Sequence, residues 1–82
     1  MYYVYVLKSQ RDNRLYTGFT SDIKKRLQAH NRGKVRSTKG RRPFVLLYFE
    51  NVETKEKARE RELYLKSGVG REFLKKKINQ RS

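Results

Sequence analysis

The sequence predicts an α+β fold, in which a three-stranded antiparallel sheet is flanked by three helices in the order β-β-α-β-α-α. Two short apolar runs separated by a polar turn are typical of a β-hairpin, and a third bounded apolar run follows the single proline. Three other segments carry apolar residues three or four positions apart, which indicates helices. The chain of 82 residues is expected to form one domain, 1–82, because so short a chain builds only one hydrophobic core.

The hairpin strands are predicted at Tyr2–Leu7 and Leu15–Phe19. The first is apolar on both faces, which favours a central strand with helices on both sides. The intervening segment contains Asp12 and Asn13, residues suited to a turn. A third strand is expected at Phe44–Phe49, pairing with the hairpin.

Tyrosines recur on the hairpin at the strand period. Tyr3 and Tyr5 share one face of the first strand, and Tyr16 and Gly18 share one face of the second. Because glycine weakens a strand interior, we expect another group to approach the backbone at Gly18. Packed tyrosines with structural hydroxyl partners remain an alternative.

The helices are predicted from caps and stops. Ser21 is the expected N-cap of a helix over roughly residues 22 to 32, with Asp22 in its first turn and Gly33 as its stop. Thr54 is expected to cap a helix over 55–66, with Gly68 just past its end, and a short third helix is expected over 71–78.

The chain carries 22 Lys and Arg against 8 Asp and Glu, a net charge of +14. Such a charge attracts polyanions, so nucleic acid is the expected partner, with DNA favoured over RNA. Ribosomal RNA, an anionic membrane surface and simple solubility are the alternatives, and the narrow apolar stripes of the helices argue against membrane binding. The segment from Lys34 to Pro43 has no apolar period and is predicted to be a basic surface loop that binds the nucleic-acid backbone. Its cations are Lys34, Arg36, Lys39, Arg41 and Arg42.

Cysteine is absent, which excludes disulfides and thiolate metal sites. There is no run of about 18 apolar residues, and the first residues lack the basic leader and small-residue cleavage site of a signal peptide. A cytoplasmic location is therefore the default expectation.

An acid lies in the apolar stripe of the second helix. At about 100 degrees per residue, Ala58, Glu62 and Leu65 fall in one narrow sector. A buried carboxylate requires a cation, a hydrogen-bond network or a metal ion. A structural salt bridge is the plain alternative, since Arg59, Arg61 and Lys66 are all within reach.

The first helix places Arg26 and His30 one turn apart, beside the Ile23 and Leu27 stripe. Each could be structural when considered alone. Together with the strand tyrosines and Glu62, however, they are polar groups directed toward one side of a small core. Phosphodiester cleavage needs such a set: a group that activates water, a cation for the transition state and a carboxylate that holds a divalent metal. A single Glu is adequate for Mg²⁺, because water and substrate phosphate supply the other ligands.

Four segments together resemble the motifs of the GIY-YIG nuclease superfamily. In particular, the chain is similar to its small stand-alone bacterial members, the UPF0213-like proteins, and the resemblance covers nearly the whole chain. The segments are Tyr3-Val4-Tyr5, Tyr16-Thr17-Gly18, Arg26-Leu27-Gln28-Ala29-His30-Asn31 and Ala58-Arg59-Glu60-Arg61-Glu62, and Gly40-Arg41-Arg42-Pro43 also matches.

The resemblance implies roles for individual residues. Tyr5 and Tyr16 are the motif tyrosines, Gly18 is the motif glycine and Arg26 is the transition-state cation. His30 would hydrogen-bond the catalytic tyrosine or water, and Glu62 would bind Mg²⁺ or Mn²⁺. Tyr5 would act as general base or orient water, and a base near neutral pH needs a lowered pKa, because free tyrosine titrates near 10.

The sequence departs from the motifs at Tyr3, where the family has glycine, and at Thr17, where it has isoleucine. Neither change removes a proposed catalytic group. Larger members of the superfamily have attached modules that choose the target, so a partner protein would have to supply target choice here.

The leading hypothesis is a metal-dependent endonuclease that is weakly sequence-specific or structure-selective. The alternatives are a nucleic-acid-binding module that keeps the nuclease fold without cleavage, and an interaction protein whose charge is incidental.

Overall fold

A computed structural model describes residues 1–79 of the chain. Three strands and three helices follow one another in the predicted order: β1 Tyr2–Ser9, β2 Leu15–Thr20, α1 Ile23–Asn31, β3 Phe44–Val52, α2 Lys55–Lys66 and α3 Gly68–Asn79. The antiparallel sheet has the order β2-β1-β3, so β1 is central. The predicted fold class is therefore confirmed.

The two faces of the sheet carry separate apolar clusters. On one face, Tyr5, Leu7 and Phe44 pack with Ile23 and Leu27 of α1. On the other, Val4 and Val6 pack with Ala58 and Leu65 of α2 and with Leu74 of α3. The apolar residues on both sides of β1 are thus buried by helices on both sides, as its sequence predicts.

The hairpin turn uses the two residues expected there. Asn13 adopts a positive φ of 61°, and the Asp12 carboxylate accepts a hydrogen bond from the Arg14 amide at 2.9 Å. Both features are typical of Asx-type turns. In the resulting register, Tyr5 is opposite Gly18 and Leu7 is opposite Tyr16.

The boundaries of the helices differ in places from the prediction. Asp22, rather than Ser21, is the N-cap of α1, because its carboxylate accepts from the Lys25 amide at 3.1 Å. Gly33, with φ of 77°, ends α1 as expected. Thr54 caps α2 as predicted.

The third helix is longer than predicted. It begins at Gly68 rather than near residue 71, so only one residue separates it from α2. Gly70 is required at this junction, because a Cβ there would collide with the backbone of Tyr64 and Leu65. None of the helices within residues 1–79 is long and apolar enough to cross a membrane.

Candidate active site

Four of the predicted site residues meet beneath α1. Tyr5 and Tyr16 come from neighbouring strands, and Arg26 and His30 come from successive turns of α1. The rings of Tyr16 and His30 are edge to face at 5.0 Å between centroids, and those of Tyr5 and Tyr16 are tilted at 6.4 Å. The structure therefore brings the hairpin tyrosines and both α1 residues together.

A chain of hydrogen bonds passes through the Tyr5 hydroxyl. Arg26 Nε donates to the Tyr5 oxygen at 3.4 Å, and the same oxygen is 3.0 Å from His30 Nε2. His30 Nδ1 lies 2.7 Å from the Thr38 hydroxyl, which donates to the Val35 carbonyl at 3.4 Å. Because the Thr38 hydroxyl donates its hydrogen to Val35, it accepts from His30 Nδ1, which therefore carries the ring proton. His30 Nε2 is then unprotonated and accepts the hydrogen of the Tyr5 hydroxyl.

Burial determines the protonation states of His30 and Tyr5. His30 is fully buried, and burial together with the nearby Arg26 charge lowers its pKa to about 4, so the imidazole is neutral near pH 7. Burial raises the pKa of Tyr5, although the hydrogen bond from Arg26 opposes the increase. Without metal or substrate, Tyr5 therefore lacks the lowered pKa that a tyrosine base needs, and it is a neutral phenol.

Arg26 is the cation of the cluster. The hydrogen bond to Tyr5 raises the pKa of Arg26 and burial opposes this, while Tyr16 adds further stabilisation of the charged form. The guanidinium is thus held between the two tyrosine hydroxyls, in the charged state.

Gly18 provides the space in which this cluster packs. A Cβ at this position would lie 2.7 Å from the Tyr5 hydroxyl oxygen and 3.3 Å from Cε2 of Tyr16. The group that approaches Gly18 is therefore the Tyr5 phenol of the neighbouring strand. The Tyr5 side chain thus occupies the space beside the Gly18 backbone.

Glu62 is placed differently from the prediction. It lies on α2, which packs against β1 and β2 on the face opposite α1, so the polar groups do not all come from one side of the core. The Glu62 charge nevertheless helps to raise the pKa of Tyr5, although burial and Tyr16 contribute more to the increase. The side chain of Glu62 is 17% exposed and accepts from Lys66 Nζ at 3.2 Å. Of the cations considered from sequence, Lys66 is thus its ion-pair partner, whereas Arg61 pairs with Glu50.

The donor set suits a hard, hydrated metal ion. Within residues 1–79, no group of three or more His, Asp or Glu side chains could enclose a metal. A single carboxylate such as that of Glu62 on α2 still fits Mg²⁺ or Mn²⁺, because Mg²⁺ keeps several waters and takes phosphate oxygens from a substrate.

The basic loop is only partly a free surface. Lys34, Arg36, Lys39 and Arg42 are exposed. Arg41 instead pairs with Asp12 at 3.1 Å and lies over the Phe44 ring at 5.6 Å, so it has a structural role. The loop also contains a short 3-10 turn, Lys39–Arg41, and the buried Thr38.

Sequence reasoning missed Thr38 and the function of Asn31. Thr38 orients His30, and the Asn31 amide accepts from the Phe44 amide at 2.6 Å and donates to its carbonyl at 3.1 Å. Asn31 thereby attaches α1 to the start of β3. Its place in the helix motif was a signal, whereas nothing in the sequence marks Thr38.

Comparisons with known proteins assign the chain to a family. The family profile of the GIY-YIG catalytic domain matches residues 1–79. The chain belongs to the GIY-YIG family. A UPF0213 protein of Clostridium perfringens is 49% identical over 67 residues, which are 80% of this chain and 71% of the relative. A UPF0213 protein of Staphylococcus haemolyticus is 43% identical over 75 residues, 90% of each chain.

A solved structure is also similar to this GIY-YIG protein. The solution NMR structure of a UPF0213 protein from Bacillus halodurans is 37% identical, with a TM-score of 0.54. The match covers 90% of this chain and 82% of that one. The family is that of a nuclease domain, and the names of these relatives assign no reaction.

The buried histidine makes a test of the site possible in the protein alone. His30 is the one histidine in the sequence, so its ring gives a single, unambiguous NMR titration. We expect an apparent pKa near 4, because burial disfavours the imidazolium. Its folded pKa lies below the unfolded value of about 6.5, so its contribution to stability is full above that pH and is lost as pH falls toward 4.

Linkage gives the size of this effect. Between pH 7 and pH 5, His30 should lower the free energy of unfolding by about 2 kcal/mol, measured by denaturant unfolding. His30→Gln is the control, since it should lack this part of the pH dependence while the carboxylates titrate mostly at lower pH. A histidine titration near 6.5 would contradict the buried hydrogen-bond chain.

Proposed function

We propose that this protein is a metal-dependent endonuclease that hydrolyses nucleic-acid phosphodiesters, with DNA favoured over RNA as its partner. One observation carries the proposal: the charged Arg26 guanidinium donates to the Tyr5 hydroxyl beside Tyr16, and Glu62 acts electrostatically on the same Tyr5 from α2, on the other face of the sheet. A cation fixed by a phenol supports charge stabilisation at a phosphorane-like transition state.

Exposure distinguishes the roles of the two tyrosines. Tyr5 is 2% exposed and its oxygen contacts Arg26 and His30, so it positions Arg26. Tyr16 is only partly buried and lines an open groove, so its hydroxyl can direct the attacking water. A phenol with a pKa above 10 is less than about 0.1% ionised at pH 7, which favours orientation of water over proton abstraction by Tyr5.

Glu62 would hold the divalent metal. When bound there, Mg²⁺ or Mn²⁺ supplies Lewis-acid stabilisation of phosphate oxygens. The chain's own residues bind and orient the substrate: Arg26 contacts the transferring phosphate, and the exposed cations of the basic loop hold the flanking backbone. Contacts of this kind carry little sequence information, so cleavage should be weakly sequence-specific or structure-selective.

A cleavage assay tests the proposal. Purified protein should nick flap, branched or single-stranded DNA in Mg²⁺ or Mn²⁺ and leave it intact in EDTA. The activity should fall steeply with salt, because binding depends on phosphate contacts. Arg26→Ala, purified identically, controls for a contaminating nuclease. If all three substrates remain uncut in both metals, the proposal fails.

A second function, nucleic-acid binding without cleavage, is favoured by the ion pair of Glu62 with Lys66. This pair neutralises the carboxylate without a metal, as a structural salt bridge would. Such a module would bind the same DNA and show no metal-dependent nicking. The replacement of Glu62 considered in the Discussion separates the two functions.

A further inference from the structure

A groove along the open side of β2 has a markedly basic lining. It has a volume of about 780 Å³ and lies between the hairpin turn, the end of α2 and one side of α3. Within the part of the chain that the structure describes, no Asp or Glu lines it. Its cations are Arg14, Arg41, Lys66, Arg71 and Lys75.

Three of these cations lack an acidic partner within residues 1–79. Arg41 pairs with Asp12 and Lys66 with Glu62, but none of the ion pairs in this range involves Arg14, Arg71 or Lys75. Arg71 and Lys75 are one helical turn apart, so their charges are neighbours and repel. A bound polyanion would relieve this repulsion, which favours a phosphate backbone as the occupant.

The groove is continuous with the candidate active site. Tyr16 lines it, and so does Lys66, whose ammonium holds Glu62. A nucleic-acid strand in the groove would therefore pass Tyr16 on one face of the sheet and the Glu62 carboxylate, the proposed metal ligand, on the other. This step rests on the proposed function.

The floor of the groove indicates which form of nucleic acid fits. Leu15, which is 43% exposed, lines the groove together with Ile78 and Tyr16. A duplex keeps its bases stacked inside and offers such a floor only phosphates and sugars. An unpaired strand can place bases on apolar and aromatic side chains while cations hold its backbone.

We propose that the groove binds single-stranded nucleic acid and leads it into the active site. The substrate would then be a flap, a branch arm or another unpaired segment. The exposed cations of the basic loop, Lys34, Arg36, Lys39 and Arg42, would contact the remaining backbone.

The test compares two double variants of equal charge. Arg71→Gln with Lys75→Gln removes two groove cations, and Lys55→Gln with Lys76→Gln removes two exposed cations outside the groove. Binding of a fluorescein-labelled single strand of about 16 nucleotides, and of its duplex, is measured by anisotropy in EDTA. Circular dichroism checks that both variants are folded.

We expect the groove variant to bind the single strand at least about fivefold more weakly, and the control to change less than about twofold. The slope of log K against log salt should decrease by about 1.4 for the groove variant, since each contact to a single strand contributes about 0.7. Duplex binding should be affected less. Equal losses in the two variants, or tighter binding of the duplex with the same dependence on the groove, would overturn the inference. Because the assay contains no metal, its outcome is independent of whether the protein cleaves.

Discussion

Replacement of Glu62 by glutamine is expected to reduce the rate of DNA cleavage about 10³-fold, because the metal supplies several kcal/mol of transition-state stabilisation. Glutamine keeps the shape of the side chain and removes its charge. Binding of the same DNA in EDTA should change little, since the carboxylate repels rather than attracts phosphate. Single-turnover cleavage in Mg²⁺ and anisotropy in EDTA measure the two effects.

A matched control is available on the same helix. Glu60→Gln removes an exposed carboxylate two residues away and should cleave like the wild type. The lost ion pair with Lys66 costs only about 0.3–0.5 kcal/mol, so Glu62→Gln should remain folded. Mn²⁺ should broaden NMR signals around Glu62 in the wild type and not in Glu62→Gln. Undiminished cleavage in Glu62→Gln would show that the carboxylate serves only as a partner of Lys66.

The strands and helices could be predicted because their signals are local. Alternation, caps and apolar spacing predict the order of elements and the central position of β1. The start of α3 could not be predicted in this way, because glycines disfavour a helix interior. Gly68 and Gly70 are helical because α2 and α3 meet with only Ser67 between them, and that contact excludes a side chain at Gly70.

The proximity of Arg26 and His30 on α1 was predictable, but the electrostatics of the cluster were not. The period of α1 brings Arg26 and His30 together, whereas the register of the hairpin brings Tyr5 opposite Gly18. The raised pKa of Tyr5 depends on complete burial beneath α1, which no local pattern reveals. The side on which α2 packs is likewise a tertiary property, so Glu62 could be recognised as unusual without its face being known.

Replacement of Tyr5 by phenylalanine is expected to reduce cleavage about 10²-fold, through loss of the group that fixes Arg26. It should also destabilise the protein by about 1–3 kcal/mol, because His30 Nε2 is left buried without a donor. Single-turnover rates and denaturant unfolding measure the two effects. The pH profile of the wild-type rate should show no tyrosine ionisation near pH 7, since burial raises the pKa of Tyr5.

Tyr48→Phe is the matched control, because it removes a hydroxyl that donates to Glu50 on the other face of the sheet. It should lower stability without a comparable loss of cleavage. Equal cleavage by the two variants would show that the Tyr5 hydroxyl is only a partner for His30. The two variants differ in the partners of the deleted hydroxyl. A loss of cleavage in Tyr5→Phe alone would therefore show that the hydrogen bond from Arg26 Nε to Tyr5 holds the guanidinium where phosphate charge develops.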